Sequence, residues 1–254
     1  MKTKHLRLMQ RAYVILFFCF MYLPIAYMVV FSFNQSKGYA LFTGFTFKWY
    51  TSLLHNESIL HALWVSLYLA LFSAVIATVL GTAASLGIAS MGRKSRLLVT
   101  NITYITTVNP EIITGISLMM LFVACQRFAS ELDFLPDNIM GFPTLLIAHI
   151  AFNVPYVIFN VTPKLKQLDI KLYEAALDLG ASAGLALRKV VIPQLIPGII
   201  SGFMLSVTLS LDDYFITTYT KPSTFDTIST YVVNATKGSH TEIKTALWAL
   251  STLI

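Results

Sequence analysis

Apolar positions along this chain come in long blocks separated by short polar stretches. A helix needs about 20 apolar residues to cross a hydrocarbon layer about 30 Å thick. Five blocks reach or approach that length, at 12–33, 60–91, 97–124, 143–163 and 195–217, and each predicts a membrane-spanning helix. A sixth begins near 242 and stops at Ile254. About 12 residues of helix rise only about 18 Å, so this last span is expected to be incomplete and the sequence a fragment. The stretches between blocks predict smaller elements. "FTFKWYTSLL" at 45–54 carries Phe47, Trp49 and Tyr50 and predicts a short interfacial helix, because Trp and Tyr favour the headgroup level. "SELDFLPDNIMG" at 130–141 predicts a turn-rich loop, and "TKPSTFDTISTY" at 220–231 a turn followed by an extended piece rich in β-branched residues.

Composition agrees with that pattern. The 254 residues are 56% hydrophobic and only 12% charged, with a mean hydropathy of +0.70. An average soluble domain is about a quarter charged, so lipid is the expected solvent. The isoelectric point near 9.3 does not indicate a nucleic-acid partner, because the basic residues gather on no single face. They serve topology instead. The N-terminal tail carries Lys2, Lys4, Arg7 and Arg11, the loop "GRKSR" carries Arg93, Lys94 and Arg96, and the 164–193 segment carries Lys164, Lys166, Lys171, Arg188 and Lys189. The opposite side keeps Lys37, Lys48, Arg127, Lys221, Lys237 and Lys244. The positive-inside rule then puts residues 1–11 and 164–193 in the cytoplasm. The first apolar run is longer than a signal-peptide core and is followed by no small-residue cleavage site, so it is expected to be retained. Cys19 and Cys125 lie inside apolar runs without metal-ligand spacing.

Glu111, Asp212 and Asp213 are the acids within the predicted spans. A carboxylate at mid-bilayer costs at least about 2.5 kcal/mol and usually faces water or a partner. Glu111 follows Pro110 near the middle of the third span, where a proline kink beside an acid suits a pathway. Asp212 and Asp213 sit towards the outer end of the fifth span. Neighbouring helical residues point about 100° apart, so at most one faces a path; the other pairs with a cation or caps a helix. Tyr214, Phe215 and Tyr219 nearby offer faces for cation–π contact. In the fourth span, His149 is expected to hydrogen-bond a neighbouring helix. Asn109 offers a hydrogen bond across helices, and Gly81, Ala84 and Gly87 read as packing positions.

The cytoplasmic stretch 166–193 predicts two short helices, about 167–179 and 183–191. Gly180 suits the left-handed position after the first, Ser182 the N-cap of the second, and Pro193 its end. Tyr173, Ala176, Leu177 and Gly180 share one face at helical spacing, which a solvated loop does not need and a docked partner does. Glu174 and Asp178, four apart on a neighbouring face, repel by a few tenths of a kcal/mol unless a cation such as Arg188 or Lys189, or one from a partner, lies between them.

Glu174-Ala175-Ala176, then Gly180, then Val190-x-Ile192-Pro193 resembles the EAA loop of the membrane subunits of bacterial ABC importers, with V-x-I-P in place of the usual I-x-L-P. "FSFNQSK" at 31–37, "FKWYTSLL" at 47–54, "NPEIITGISLMMLF" at 109–122 and "TLSLDDYFIT" at 208–217 are similar to the spermidine/putrescine permeases. The resemblance implies an all-α fold, the six-helix transmembrane domain of the type I (MetI-like) importers over residues 12–254. It implies a multi-pass protein of the bacterial inner membrane, N-terminus inside, that imports polyamines. It implies coupling to an ATPase through Glu174, Ala175, Ala176, Gly180 and Pro193. A pathway through Glu111, Asp212, Asp213 and Tyr214 then suits an ammonium cargo. Implied partners are a second permease, two ATP-binding subunits and an extracytoplasmic polyamine-binding protein. ATP and magnesium would belong to the ATPase, and no G-x-x-x-x-G-K-[ST] loop occurs here. A permease for another solute stays open. An intramembrane protease would have to build on Gly115-x-Ser117 with His149, a loose pairing.

Overall fold

The computed structural model describes residues 2–36, 41–130, 140–237, 247 and 249–252. Among the described residues five helices are long and apolar enough to cross a membrane. The elements are α1 (Lys2–Ser32), α2 (Lys48–Leu54), α3 (Glu57–Ser90), α4 (Arg93–Val108), α5 (Glu111–Ser130), α6 (Phe142–Gln167), α7 (Ile170–Asp178), α8 (Ala183–Ala186), a π-turn (Leu187–Val191), α9 (Ile192–Asp212), α10 (Phe215–Thr220) and α11 (Ile228–Lys237). Most of the expected sixth span and of the 130–141 loop lies outside the described residues, as do Lys37, Glu131, Asp133, Asp137, Glu242 and Lys244. The chain divides into two compact units, residues 1–61 with 231–254, and residues 62–230.

In the first unit, α1 leaves its apolar stretch exposed. Its C-terminal end is tied to α2 by polar groups of "FSFN". Asn34 is fully buried; its side chain donates to Leu41 O and accepts from Thr43 N, each at 2.9 Å. The Asn34 carbonyl accepts from Trp49 Nε1 at 2.8 Å. The short helix expected here forms, with Trp49 buried and Phe45 and Phe47 exposed.

In the second unit α6 is the central helix. Small residues on both neighbours let it approach closely, the usual device where helix association has no hydrophobic drive. A Cβ at Gly81 of α3 would lie 2.6 Å from Val157 Cβ, and one at Gly202 of α9 would lie 3.3 Å from Val157 Cα. Ala77, Val157, Val161, Val191 and Leu195 form the core there. A second core joins Ala148, Phe152 and Ile216, where Gly115 brings α5 against Phe215 O and Ile216 Cα of α10. Gly87 is different from Gly81: nothing lies within 4 Å of its would-be Cβ, so its expected packing role is not found.

Three expectations are corrected here. The third span is two helices, not one kinked helix: α4 stops at Val108, Asn109 is extended at φ −67° and ψ 134°, and α5 starts at Glu111. The pyrrolidine of Pro110 pushes the residue before it out of the helical region, and Asn109 is exposed, its expected bond across helices not found among the described residues. The second cytoplasmic helix does not end at Pro193. Helix runs from Ala183 through Asp212, because the π-turn, with Ile192 N–H reaching Leu187 O, widens the coil just before the proline ring that would strike a regular turn. Finally, residues 228–231 of the stretch expected to be extended instead open a helix, α11. Thr227 caps them reciprocally, its N–H donating to Thr230 Oγ1 at 3.0 Å and its Oγ1 accepting from Thr230 N at 3.5 Å.

Gly81→Ala forces a methyl into Val157, and overpacking of this kind costs about 1–3 kcal/mol. Gly87→Ala meets open space and gains about 0.5–1 kcal/mol of helix propensity. Thermal unfolding in detergent should therefore fall for the first variant and hold or rise for the second.

Candidate functional site

α9 stops at Asp212 because Asp213 turns extended, at φ −65° and ψ 122°, and becomes the cap of α10. Its carboxylate accepts from Ile216 N at 3.2 Å, Thr217 N at 2.7 Å and Thr217 Oγ1 at 2.8 Å. Its carbonyl accepts from Ser229 Oγ at 2.5 Å. Asp213 is only 4% exposed, so of the two aspartates it is the one that caps a helix. Asp212, its neighbour, is exposed. The break at 213 was not visible in the sequence, although Asp followed by Thr four residues on is a capping pattern.

Asp213 also ends a chain of buried hydrogen bonds. His149 of α6 is fully buried; Nε2 lies 3.0 Å from Thr217 Oγ1 and 3.6 Å from Asp213 Oδ2, and Nδ1 lies 3.1 Å from Ser210 Oγ. Ser210 of α9 also accepts from Asn153 Nδ2 at 2.8 Å and meets Ser73 Oγ of α3 at 2.9 Å. Donor counting gives the chain a direction. A carboxylate only accepts, so the Thr217 hydroxyl proton points to Asp213. Thr217 Oγ1 must then accept from His149 Nε2–H. On the other side of the ring Nδ1 meets Ser210 Oγ, while the Ser73 hydroxyl donates to Ala70 O at 3.2 Å. Four helices are thereby tied at the end of α9. Asn153 Oδ1 has no hydrogen-bond partner. The expected bond from His149 to a neighbouring helix is present twice over. The Ser117–His149 pairing is not: both ring nitrogens are taken by Ser210 and Thr217, and Ser117 is exposed.

Glu111, half-buried, is the first residue of α5 rather than mid-span. It lies within electrostatic reach of Asp213 and Asp212 and of Tyr156. Tyr214 is half-buried and stacks edge-on against Phe215 at 5.3 Å. The three acids and Tyr214 are thus brought to one end of the bundle. Tyr156, contributed by α6, was not anticipated; nothing in the local sequence marks it.

At residues 168–193 the two-helix reading holds with shifted ends. Asp169 caps α7, accepting from Lys171 N at 3.0 Å, so α6 ends at Gln167 and α7 is shorter than expected. Gly180 is left-handed at φ +85°. Ala181 N–H reaches Ala176 O at 3.0 Å and Gly180 N–H reaches Leu177 O at 2.9 Å, a Schellman ending. Ser182 accepts from Leu185 N at 3.4 Å. The face expected to meet a partner divides: Tyr173 turns inward on the Val157–Leu195 core and Ala176 is half-buried, while Leu177 and Gly180 stay exposed. What faces out is Leu172, Ala175 and Leu179, with Glu174, Asp178, Gly180 and Pro193 also exposed; Leu179 is 89% exposed. A groove of about 480 Å³ lies beside α7, lined by Leu86, Leu168, Tyr173, Gly184 and Leu187 among others. Glu174 and Asp178 make no ion pair among the described residues, so Arg188 and Lys189 do not bridge them. Arg96 is committed elsewhere: it donates to Ile88 O at 3.2 Å, to Met91 O at 3.0 Å and to Ala89 O, closing the C-terminus of α3.

Residues 77–254 match the model of the binding-protein-dependent transport system inner membrane component. The chain belongs to that family, the permeases of ABC importers. The spermidine/putrescine transport system permease protein PotC of Escherichia coli K12 is 35% identical over 85% of this permease and 78% of its own length. The putrescine transport system permease protein PotI of the same organism is 35% identical over 95% and 83%. A bacterial ABC transporter involved in the import of the acidic polysaccharide alginate shares the fold, with a TM-score of 0.78 at 18% identity over 99% of this chain and 91% of that one.

The two aspartates divide by role, and stability should separate them. Asp213→Ala leaves buried donors without an acceptor, at about 1–3 kcal/mol for each, and should lower the unfolding temperature in detergent. Asp212→Ala removes an exposed group and should leave it within error.

Proposed function

We propose that this permease is one half of the membrane channel of an ATP-driven polyamine importer, with Glu111 and Asp212 lining the path. The observation that carries the reading is the meeting of α5 and α9 acids at one end of an otherwise apolar bundle. Carboxylates that would repel one another are costly to gather in a membrane. A cargo with two or more ammonium groups relieves that cost, and Tyr156 and Tyr214 offer aromatic faces for its charged ends and methylene stem. An anionic cargo would meet the wrong sign. The likeness to PotC and PotI supports the same cargo class.

The remaining assembly follows the positive-inside reading and the family. The N-terminus is cytoplasmic, a sixth span begins near 242, and a second permease supplies the other wall of the path. Two ATP-binding subunits, which hold ATP and magnesium, dock on α7 and the Gly180 turn. Leu172, Ala175 and Leu179 give the apolar contact, with Glu174 and Asp178 as charges awaiting a cation from the ATPase. A binding protein delivers the polyamine at the outer face; the alginate transporter has been solved in complex with an alginate pentasaccharide-bound periplasmic protein.

Uptake of labelled putrescine and spermidine by the assembled transporter in proteoliposomes tests the path. Glu111→Gln and Asp212→Asn should each raise the half-saturating concentration about tenfold or lower the rate by as much; unchanged constants for both would refute it. Gly180→Val tests the docking. A β-branched residue at φ +85° costs roughly 1–2 kcal/mol and re-aims the turn on the exposed surface. Uptake should be lost at an unchanged level in the membrane, and normal uptake would sink the coupling role.

A further inference from the structure

We infer that His149 is a positioning residue for the cargo path: it fixes, through Thr217 and Asp213, the point at which α9 ends and therefore where Asp212 stands. The inference rests on the reading that Asp212 lines the path. His149 touches neither Asp212 nor the exposed end of the bundle. Its whole effect runs through a directed chain. Asn153 donates to Ser210, which also meets Ser73 Oγ and His149 Nδ1; Nε2 meets Thr217 Oγ1, and Thr217 donates to the Asp213 carboxylate.

The geometry makes this more than packing. A helix that reaches its last turn frays unless something holds it, and Asp212 is the last residue of α9. Here the residue after it is held from both directions. Its carboxylate is locked by the first turn of α10, and its carbonyl by Ser229. Ser229 is itself placed at the start of α11, where Ile228 N–H donates to Ser66 Oγ of α3 at 2.7 Å. His149 joins Ser210, inside α9, to Thr217, inside α10. It therefore spans the break from within. Losing it frees the angle between the two helices while the apolar contacts of Ala148, Phe152 and Ile216 persist. Asp212 would then wander relative to Glu111, and a two-headed cation would lose one of its two fixed charges.

The test is uptake of labelled spermidine by the assembled transporter in proteoliposomes. The variants are His149→Leu, His149→Gln, Thr217→Val, Asp212→Asn and the double variant of His149→Leu with Asp212→Asn. Membrane levels of each are matched beforehand. His149→Leu and Thr217→Val should raise the half-saturating concentration about tenfold, with the maximal rate within about twofold of wild type. His149→Gln, which keeps an N–H donor and a carbonyl acceptor, should recover most of the loss. In the Asp212→Asn background His149→Leu should add almost nothing, because two residues acting through one interaction are not additive. A full tenfold addition in that background would overturn the inference, as would wild-type constants for His149→Leu and Thr217→Val. Should His149→Leu not accumulate in the membrane, Thr217→Val, nearly the same shape, carries the same readout. An unchanged constant for Asp212→Asn alone points to a failure of the path assignment rather than of the linkage between His149 and the end of α9.

Discussion

A buried polar knot holds the second unit of this permease together where its helices break. Unpartnered, its members would be expensive: a buried hydroxyl, amide or imidazole without a hydrogen bond costs a few kcal/mol. Joined through Ser210 and Thr217, they tie α3, α6, α9 and α10 at one level. The apolar cores above and below need only small residues and close approach. The knot supplies direction, which close packing cannot. It specifies which residue of α9 is last, which faces of α6 turn inward, and how α10 starts.

Much of the architecture was readable from residue order. The first, second and fourth apolar blocks appear as single helices, the third and fifth break at Asn109–Pro110 and at Asp213, and the turn at Gly180–Ser182 forms with the caps that its residue types predict. Those features are local: a left-handed glycine or a serine cap is decided by groups within five residues. The misreadings share an opposite cause. Whether Pro110 kinks a helix or divides it, and whether Pro193 ends one, depends on what the surrounding backbone can do. At Pro110 the chain gives up the helix, and at Pro193 it widens by one residue and continues. Tyr173 faces inward because a core assembled from α3, α6 and α9 waits there, and helical periodicity cannot say which side of an amphipathic turn meets its own protein.

The candidate site was legible in part for the same reason. Glu111 and Asp212 stand out as acids in apolar runs, and each was marked by cost alone. Their meeting, and the presence of Tyr156 beside Glu111, are tertiary facts. The division of labour between Asp212 and Asp213 is likewise invisible to a count of charges. One faces out and the other disappears into a cap, although they are adjacent and identical in type. His149 was foreseen as a bonded residue, but the side chains that surround it come from its own helix, three other helices and a turn.

Arg96 closes the carbonyls at the end of α3 with its guanidinium. It also belongs to the basic loop that the positive-inside rule would keep on one side of the membrane. Under that rule, sidedness and span length are not independent. The same cation would hold its loop on one side and mark where α3 finishes. The loop cannot migrate along the sequence without redrawing that helix. A lysine would keep the vote for orientation and lose the fork that grips several carbonyls at once. The chain would still thread the same way, with a ragged edge where the helix now has a clean one.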